Sequence, residues 1–206
     1  MSGAIFSVSI LPLLRPCLAC FFTGMTIKMM DDYLDGPLDR LIGKKTWAAD
    51  LQEATLPYAL LAFSLAVIAE PTWSITLFWA SYAVGMRGDR LRPLPLGLTG
   101  WQEALLLGVL TLSAFGWKAL VTSWAAIFSL QAVDDLLDHQ QDKMCGAANW
   151  ATRWGVVETG LAAAIAIALL CYLDVIKLLL VSINGPLIVS ILRHMARKED
   201  EISGQY

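Results

Sequence analysis

Long apolar segments divide this sequence, and the stretches between them carry nearly all of its charge. Of the 206 residues, 57% are hydrophobic and only 16% are charged, whereas soluble globular domains carry roughly 25% charge. A soluble fold of this length needs more polar surface than these residues supply. The apolar segments predict an all-α fold, a polytopic transmembrane bundle of about seven helices. The seven apolar segments lie at about 4–30, 56–69, 73–86, 104–117, 119–133, 156–172 and 175–192.

Positive charge is distributed unevenly between the two ends of the predicted bundle. With seven crossings, the C-terminus shares one face with the long connections, which are 31–55, 87–103 and 134–155. Twelve of the fifteen lysines and arginines then lie on that face, and only Arg15, Lys118 and Lys177 lie elsewhere. This bias predicts a multi-pass protein of the cytoplasmic membrane with its charged face in the cytoplasm. We expect a single transmembrane domain over 1–206, with a polar tail at 195–206.

Charge and cysteine content exclude other classes. The formal net charge is −3 and no basic run occurs, which argues against a nucleic-acid partner. Cys17 and Cys20 form a C-x-x-C inside an apolar stretch, and we interpret them as two small apolar side chains. No basic residue precedes Arg15, so we expect the N-terminal segment to be retained and not cleaved as a signal peptide.

Two aspartate-rich segments share one pattern. Shifted by 103 residues, four aspartates of the first segment coincide with four of the second, and so does the basic residue that follows. The pairs are Asp31 with Asp134, Asp32 with Asp135, Asp35 with Asp138, Asp39 with Asp142, and Arg40 with Lys143. The match continues through Gly43 with Gly146 and Trp47 with Trp150, although the tryptophans alone are typical of a membrane interface. The sequence therefore predicts one functional element that is used twice.

The aspartate spacing indicates a shared helix face. Positions i, i+3 and i+7 of a helix point the same way, so Asp135, Asp138 and Asp142 are predicted to do so. The first copy has the same spacing, but we expect Gly36-Pro37 to interrupt its helix.

Clustered carboxylates at the ends of apolar helices favour a hard metal ion. Close carboxylates repel, and in a low-dielectric setting they recruit cations. Oxygen ligands without histidine or cysteine suit Mg²⁺, which bridges to substrate phosphates. The candidate metal ligands are Asp31, Asp32, Asp35, Asp39, Asp134, Asp135, Asp138 and Asp142. Basic residues nearby are candidates to bind a diphosphate. They are Arg40, Lys45, Arg87, Arg92 and Lys143.

These motifs resemble the UbiA superfamily of intramembrane prenyltransferases, which carries Asn-Asp-x-x-Asp-x-x-x-Asp and a later Asp-x-x-x-Asp. Asp32, Asp35 and Asp39 match the first motif, and Asp138 and Asp142 match the second. The segments Thr152–Gly155 and Tyr82–Arg87, the latter followed by Leu96-Gly97, are also similar to the family. Two departures are Asp31 in place of the usual Asn and a chain with fewer helices than family members have.

The resemblance implies an Mg²⁺-dependent enzyme that transfers a prenyl group from a prenyl diphosphate to an aromatic or lipid acceptor. Its partners would be the prenyl diphosphate, the acceptor and membrane lipids, and its cofactor Mg²⁺. The catalytic residues that it implies are Asp32, Asp35, Asp39, Asp135, Asp138 and Asp142.

Three alternatives remain open on the sequence. The segment Leu130–Asp138 is similar to the second motif of soluble isoprenyl diphosphate synthases. Asp32 to Arg40 resembles the opening motif of CDP-alcohol phosphotransferases. A non-catalytic membrane protein could also bind cations through its aspartates, for structure or for transport.

Overall fold

The computed structural model describes residues 11–41, 46–85, 97–145 and 149–203. These parts of the chain are almost entirely helical and include no β-strand. The helices are α1 (Leu11–Leu34), α2 (Gly36–Leu41), α3 (Trp47–Leu51), α4 (Thr55–Ala69), α5 (Pro71–Gly85), α6 (Gly100–Leu137), α7 (His139–Cys145), α8 (Trp150–Trp154), α9 (Val156–Leu173) and α10 (Val175–Ser203). A single 3₁₀ turn, Gln52–Ala54, joins α3 to α4. The all-α expectation is confirmed.

Five helical segments of the described chain are long and apolar enough to cross a membrane, which is compatible with a multi-pass membrane protein. They are Pro12–Leu34, Trp47–Ala69, Gly100–Leu137, Val156–Leu173 and Val175–Ala196. The two predicted segments at 104–117 and 119–133 both fall within α6, where Gly116 adopts φ 80° and ψ 165° and interrupts the helix. A seven-helix bundle stays a prediction. α10 continues to Ser203, so it includes most of the predicted polar tail.

Small residues line the interior and large apolar ones face outward. Alanines dominate the buried core, including Ala59, Ala66 and Ala125. Large side chains such as Ile68 and Ile165 lie exposed on the outer helix faces, at 76% and 70%. This arrangement suits a lipid environment, because small side chains let helix backbones approach closely while large ones contact acyl chains.

The helix packing follows the sequence repeat. α1 packs on α4, α6 packs on α9, and α5 packs on α6. With the 103-residue shift, α1 ends at Leu34 where α6 ends at Leu137, and Thr46 caps α3 where Asn149 caps α8. Gln52 and its counterpart Gly155 both have positive φ, at 50° and 111°. The repeat is therefore present in the structure as well as in the sequence, and it extends beyond the aspartates.

Lys177, near the start of α10, is buried at the end of the bundle away from the aspartates. Its Nζ donates to Thr122 Oγ1 at 2.8 Å and to Ser123 Oγ at 3.1 Å, both on α6. Ser123 Oγ lies 2.7 Å from Thr76 Oγ1 of α5, so this polar cluster joins three helices. Nζ also lies 4.0 Å from Asp174 Oδ2. Lys177 is thus a buried residue whose hydrogen bonds connect helices inside the bundle.

Candidate functional site

Both aspartate-rich segments form the same turn, where a long apolar helix ends and a short helix begins. Asp35 separates α1 from α2, and Asp138 separates α6 from α7. The backbone N–H of Asp35 donates to the Asp31 carbonyl, and that of Asp138 donates to the Asp134 carbonyl, each at 2.9 Å. Similar bonds follow at the same distance from Asp39 to Asp35 and from Asp142 to Asp138. The backbone therefore keeps helical i to i−4 hydrogen bonds across each break between the two helices.

The predicted continuous helix from Asp135 to Asp142 is wrong. Asp138 has φ −93° and ψ 4°, which ends α6. The first copy breaks at Asp35, and Gly36-Pro37, expected to interrupt the helix, instead begin α2. Near the break at Asp138, the side chain of Asn149 contacts the end of α6. Its Nδ2 donates a hydrogen bond to the Asp135 carbonyl at 2.7 Å. A carbonyl at the end of α6 is thus capped from a distant part of the chain.

The eight aspartates divide into an outer set and an inner set. In the first turn Asp31 and Asp35 are exposed, while Asp32 and Asp39 are buried. In the second turn Asp134 and Asp138 are likewise exposed, while Asp135 and Asp142 are half-buried. The outer set is Asp31, Asp35, Asp134 and Asp138, and the inner set is Asp32, Asp39, Asp135 and Asp142. Because of this division, the predicted shared face of the i, i+3 and i+7 positions does not hold.

The inner aspartates of the second turn hold the local backbone. Asp135 Oδ2 accepts the backbone N–H of Trp150 at 2.7 Å. Asp142 Oδ2 accepts Asn149 Nδ2, also at 2.7 Å. Asn149 Oδ1 accepts the N–H groups of Ala151 and Thr152 and so caps α8. Asn149 therefore ties the end of α6, the start of α7 and the start of α8 together.

In the first turn, a lysine contacts both an outer and an inner aspartate. Lys28 Nζ lies 2.9 Å from Asp32 Oδ1 and 3.3 Å from Asp31 Oδ2. The Asp32 side chain is only 9% exposed, whereas that of Asp31 is 60% exposed. Partial burial reduces solvent screening, so the pair with Asp32 is the stronger of the two.

The two turns lie at the same end of the bundle. Lys28 and Asp31 of the first turn are within electrostatic range of Asp134 of the second. Residues about 100 positions apart in the sequence thus contribute to one acidic surface. We call this surface the aspartate site, defined by the eight aspartates and Lys28.

A largely apolar pocket of about 220 Å³ lies between α6, α9 and α10. On α6 it is lined by Ala126, Ser129, Leu130 and Val133, and Val133 directly precedes Asp134. Leu178 and Val181 are among the lining residues of α10. Leu130 and Val133 thus place one side of the pocket on the last turns of α6, the helix that ends at the second aspartate turn.

The ligand chemistry of the site suits a hard cation, but the observed geometry is not that of a preformed metal centre. Carboxylate oxygens are the ligands that Mg²⁺ prefers. Within the parts of the chain that the structure describes, no three Asp, Glu, His or Cys side chains converge on one point. In the first turn the Lys28 ammonium already contacts two of the carboxylates.

Most of the predicted diphosphate-binding residues lie outside the described structure. Lys45, Arg87 and Arg92 fall outside the described residues, and so does the side chain of Arg40 on α2. Lys143 is described, and it is exposed on α7 one residue after Asp142. It is thus on the surface beside the second turn.

Sequence reasoning missed Lys28 and Asn149 as site residues. Lys28 precedes Asp31 by three positions and Asp32 by four, the spacing of ion pairs on a helix. Asn149 directly precedes a short helix, where asparagine is a preferred cap. Trp150 is 4% exposed and its ring packs 4.6 Å from that of Phe128, so the ring lies inside the bundle and not on its outer surface. Its backbone bond to Asp135 holds it against the bundle.

No protein-family model, no curated protein and no solved structure matches this chain.

Proposed function

We propose that this protein transfers a prenyl group from a prenyl diphosphate to an aromatic or lipid acceptor within the membrane, with Mg²⁺ bound at the aspartate site. The observation that carries the proposal is that the two aspartate turns lie at the same end of the bundle, where the charges of Lys28 and Asp31 act on Asp134. A diphosphate held by metal ions between the turns would engage both of them. The cytoplasmic membrane is the proposed location, with the aspartate site facing the cytoplasm.

The outer aspartates are the ones positioned to contact a metal-bound diphosphate. Asp31, Asp35, Asp134 and Asp138 are exposed at the ends of α1 and α6. When bound, Mg²⁺ neutralises the charge that develops on the leaving diphosphate. Lys143 is exposed beside them and can donate to the remaining phosphate oxygens. Asn149 and the inner aspartates act as positioning residues, because their hydrogen bonds hold the turn in place.

The largely apolar pocket between α6, α9 and α10 supports an isoprenoid substrate. Its lining at Leu130, Val133 and Val181 is aliphatic and offers a water-poor environment. A carbocation at the end of the prenyl chain would be protected there from water until the acceptor attacks. This reaction needs no protein nucleophile, which agrees with an acidic site that contains carboxylates and one lysine.

Diphosphate release tests the proposal directly. The purified protein in lipid nanodiscs is incubated with labelled farnesyl or geranylgeranyl diphosphate, Mg²⁺ and a panel of aromatic and lipid acceptors. We expect prenylated product and diphosphate in equal amounts. Asp35→Asn and Asp138→Asn should each lower the rate by roughly 100-fold, the scale expected when a group that stabilises transition-state charge is lost.

Asp50→Asn is the matched control, since Asp50 is an exposed aspartate on α3 that is not one of the eight aspartates of the two turns. This variant should retain the native rate. The proposal is wrong if no acceptor gives diphosphate release, or if all three variants behave alike. Turnover with isopentenyl diphosphate as the only acceptor would instead identify a chain-elongating synthase.

A further inference from the structure

The outer face of α10 carries an open pocket of about 430 Å³. Its described lining consists of five residues of this helix, which are Pro186, Val189, Ser190, Arg193 and His194. The opposite face of α10 packs into the bundle, where Ile188 and Leu192 are only 3% and 4% exposed. The pocket therefore opens toward the surroundings of the bundle and is not part of its core.

The lining of this pocket changes from apolar to polar along the helix axis. Pro186 and Val189 form its apolar end. Ser190, Arg193 and His194 follow at positions i, i+3 and i+4, so they share one face of the helix and form the polar end. From Pro186 to His194 the helix rises about 12 Å. An apolar stretch that leads to hydrogen-bond donors has the same order of polarity as a lipid molecule, from acyl chain to headgroup.

The polar end of the pocket lies where α10 leaves its apolar span. That span, Val175–Ala196, ends two residues after His194. Leu192 packs in one cluster with Met29, the residue after Lys28, so this end of α10 lies at the same end of the bundle as the aspartate site. Lipid headgroups lie at the ends of a membrane-spanning helix, and arginine side chains extend to them.

Arg193 provides a positive charge that no side chain of the described structure neutralises. The residue is exposed, and within the described residues no carboxylate lies at ion-pair distance from its guanidinium. A guanidinium binds a phosphate group through two parallel hydrogen bonds. The Ser190 hydroxyl and the His194 imidazole can each donate one more. The polar end is therefore complementary in charge and in hydrogen bonding to a phosphodiester.

We propose that the pocket on α10 binds one anionic phospholipid from the leaflet that adjoins the aspartate site. The lipid phosphate accepts hydrogen bonds from Ser190, Arg193 and His194. One acyl chain lies along Pro186 and Val189. A zwitterionic phospholipid has the same phosphate, but it binds more weakly because its cationic headgroup is repelled by Arg193. This inference does not depend on the proposed function, since it requires neither a metal ion nor turnover.

Native mass spectrometry of the full-length protein in detergent tests this site. The protein is titrated with dioleoyl phosphatidylglycerol and, separately, with dioleoyl phosphatidylcholine, and the populations of lipid adducts give the dissociation constants. We expect the first phosphatidylglycerol to bind more tightly than phosphatidylcholine. Arg193→Gln should weaken phosphatidylglycerol binding roughly tenfold, the change that corresponds to losing about 1.4 kcal/mol of charge-assisted hydrogen bonding. Arg193→Lys should lose less, because it keeps the charge but not the paired donors.

Arg153→Gln is the matched control. Arg153 is an exposed arginine on α8 that is outside the described lining of the pocket, so this variant removes the same charge from another surface. It should leave the affinity for phosphatidylglycerol unchanged. Both arginines are exposed, so both glutamine variants should keep the native thermal unfolding in phosphatidylcholine nanodiscs, which separates a loss of lipid binding from a loss of folding.

Three results would overturn the inference. The first is equal affinity for phosphatidylglycerol and phosphatidylcholine. The second is an equal loss of affinity in Arg193→Gln and Arg153→Gln, which would indicate attraction by net charge without a defined site. The third is complete displacement of phosphatidylglycerol by excess inorganic phosphate, which would show that the pocket recognises a phosphate group without a lipid.

Discussion

Replacing Thr122 with valine measures how strongly the buried Lys177 connects α10 to α6. Lys177 is 1% exposed, and its Nζ donates to Thr122 Oγ1 at 2.8 Å. Valine matches threonine in shape and in branching at Cβ, so packing and helix propensity change little. What is lost is one acceptor of a buried ammonium.

The magnitude follows from the setting of this bond. Hydrogen bonds to charged groups contribute roughly 1.5–3 kcal/mol in proteins, while polar contacts between membrane helices reach about 1.7 kcal/mol at most. We expect Thr122→Val to lower the free energy of unfolding by about 1–2 kcal/mol. Thr111→Val is the matched control, since the buried Thr111 hydroxyl donates to the Leu107 carbonyl of its own helix at 2.7 Å. It should cost less than about 0.5 kcal/mol.

The assay is a double-mutant cycle with Lys177→Met, in which unfolding is followed in mixed detergent micelles. Thr122→Val should destabilise the native background but have almost no effect once the lysine is gone. A coupling energy below about 0.3 kcal/mol, within the scatter expected of independent sites, would refute the assigned role of the bond.

Two other substitutions follow from local geometry. Asn149→Ala should lower the free energy of unfolding by about 1–2 kcal/mol, because it removes a helix cap and the donor to two aspartates. Thr46→Ala, at the equivalent cap, should lose less stability in thermal unfolding, because the Thr46 side chain accepts a single longer hydrogen bond of 3.3 Å. Equal losses of stability in the two variants would contradict the role of Asn149 in joining the helix ends. Gly108→Ala should destabilise by about 1 kcal/mol or more, since its Cβ would lie 2.9 Å from the Trp79 ring. Gly160→Ala, whose Cβ would meet its nearest neighbour at an ordinary 4.0 Å, should be neutral or stabilising in the same measurement.

Much of the aspartate site could be read from residue spacing. The 103-residue shift paired every aspartate of one turn with its counterpart, and the structure keeps that pairing in the helix ends and in the burial of the side chains. The break at Asp138 could not be predicted, because no proline or glycine marks it. The break is accompanied by a hydrogen bond from the side chain of Asn149, which lies outside α6, to the Asp135 carbonyl near the end of that helix.

The sequence by itself determined that the chain is helical and apolar enough for a membrane, and that one element occurs twice. These properties follow from local composition and spacing, which act before distant residues meet. Only the tertiary structure decided that Lys177 is buried and that Lys28 acts electrostatically on Asp134 of the other turn. The same structure divided the aspartates into outer and inner sets. The burial of Lys177 and the interaction between the two turns depend on residues that folding brings together from far along the chain, so local spacing does not encode them.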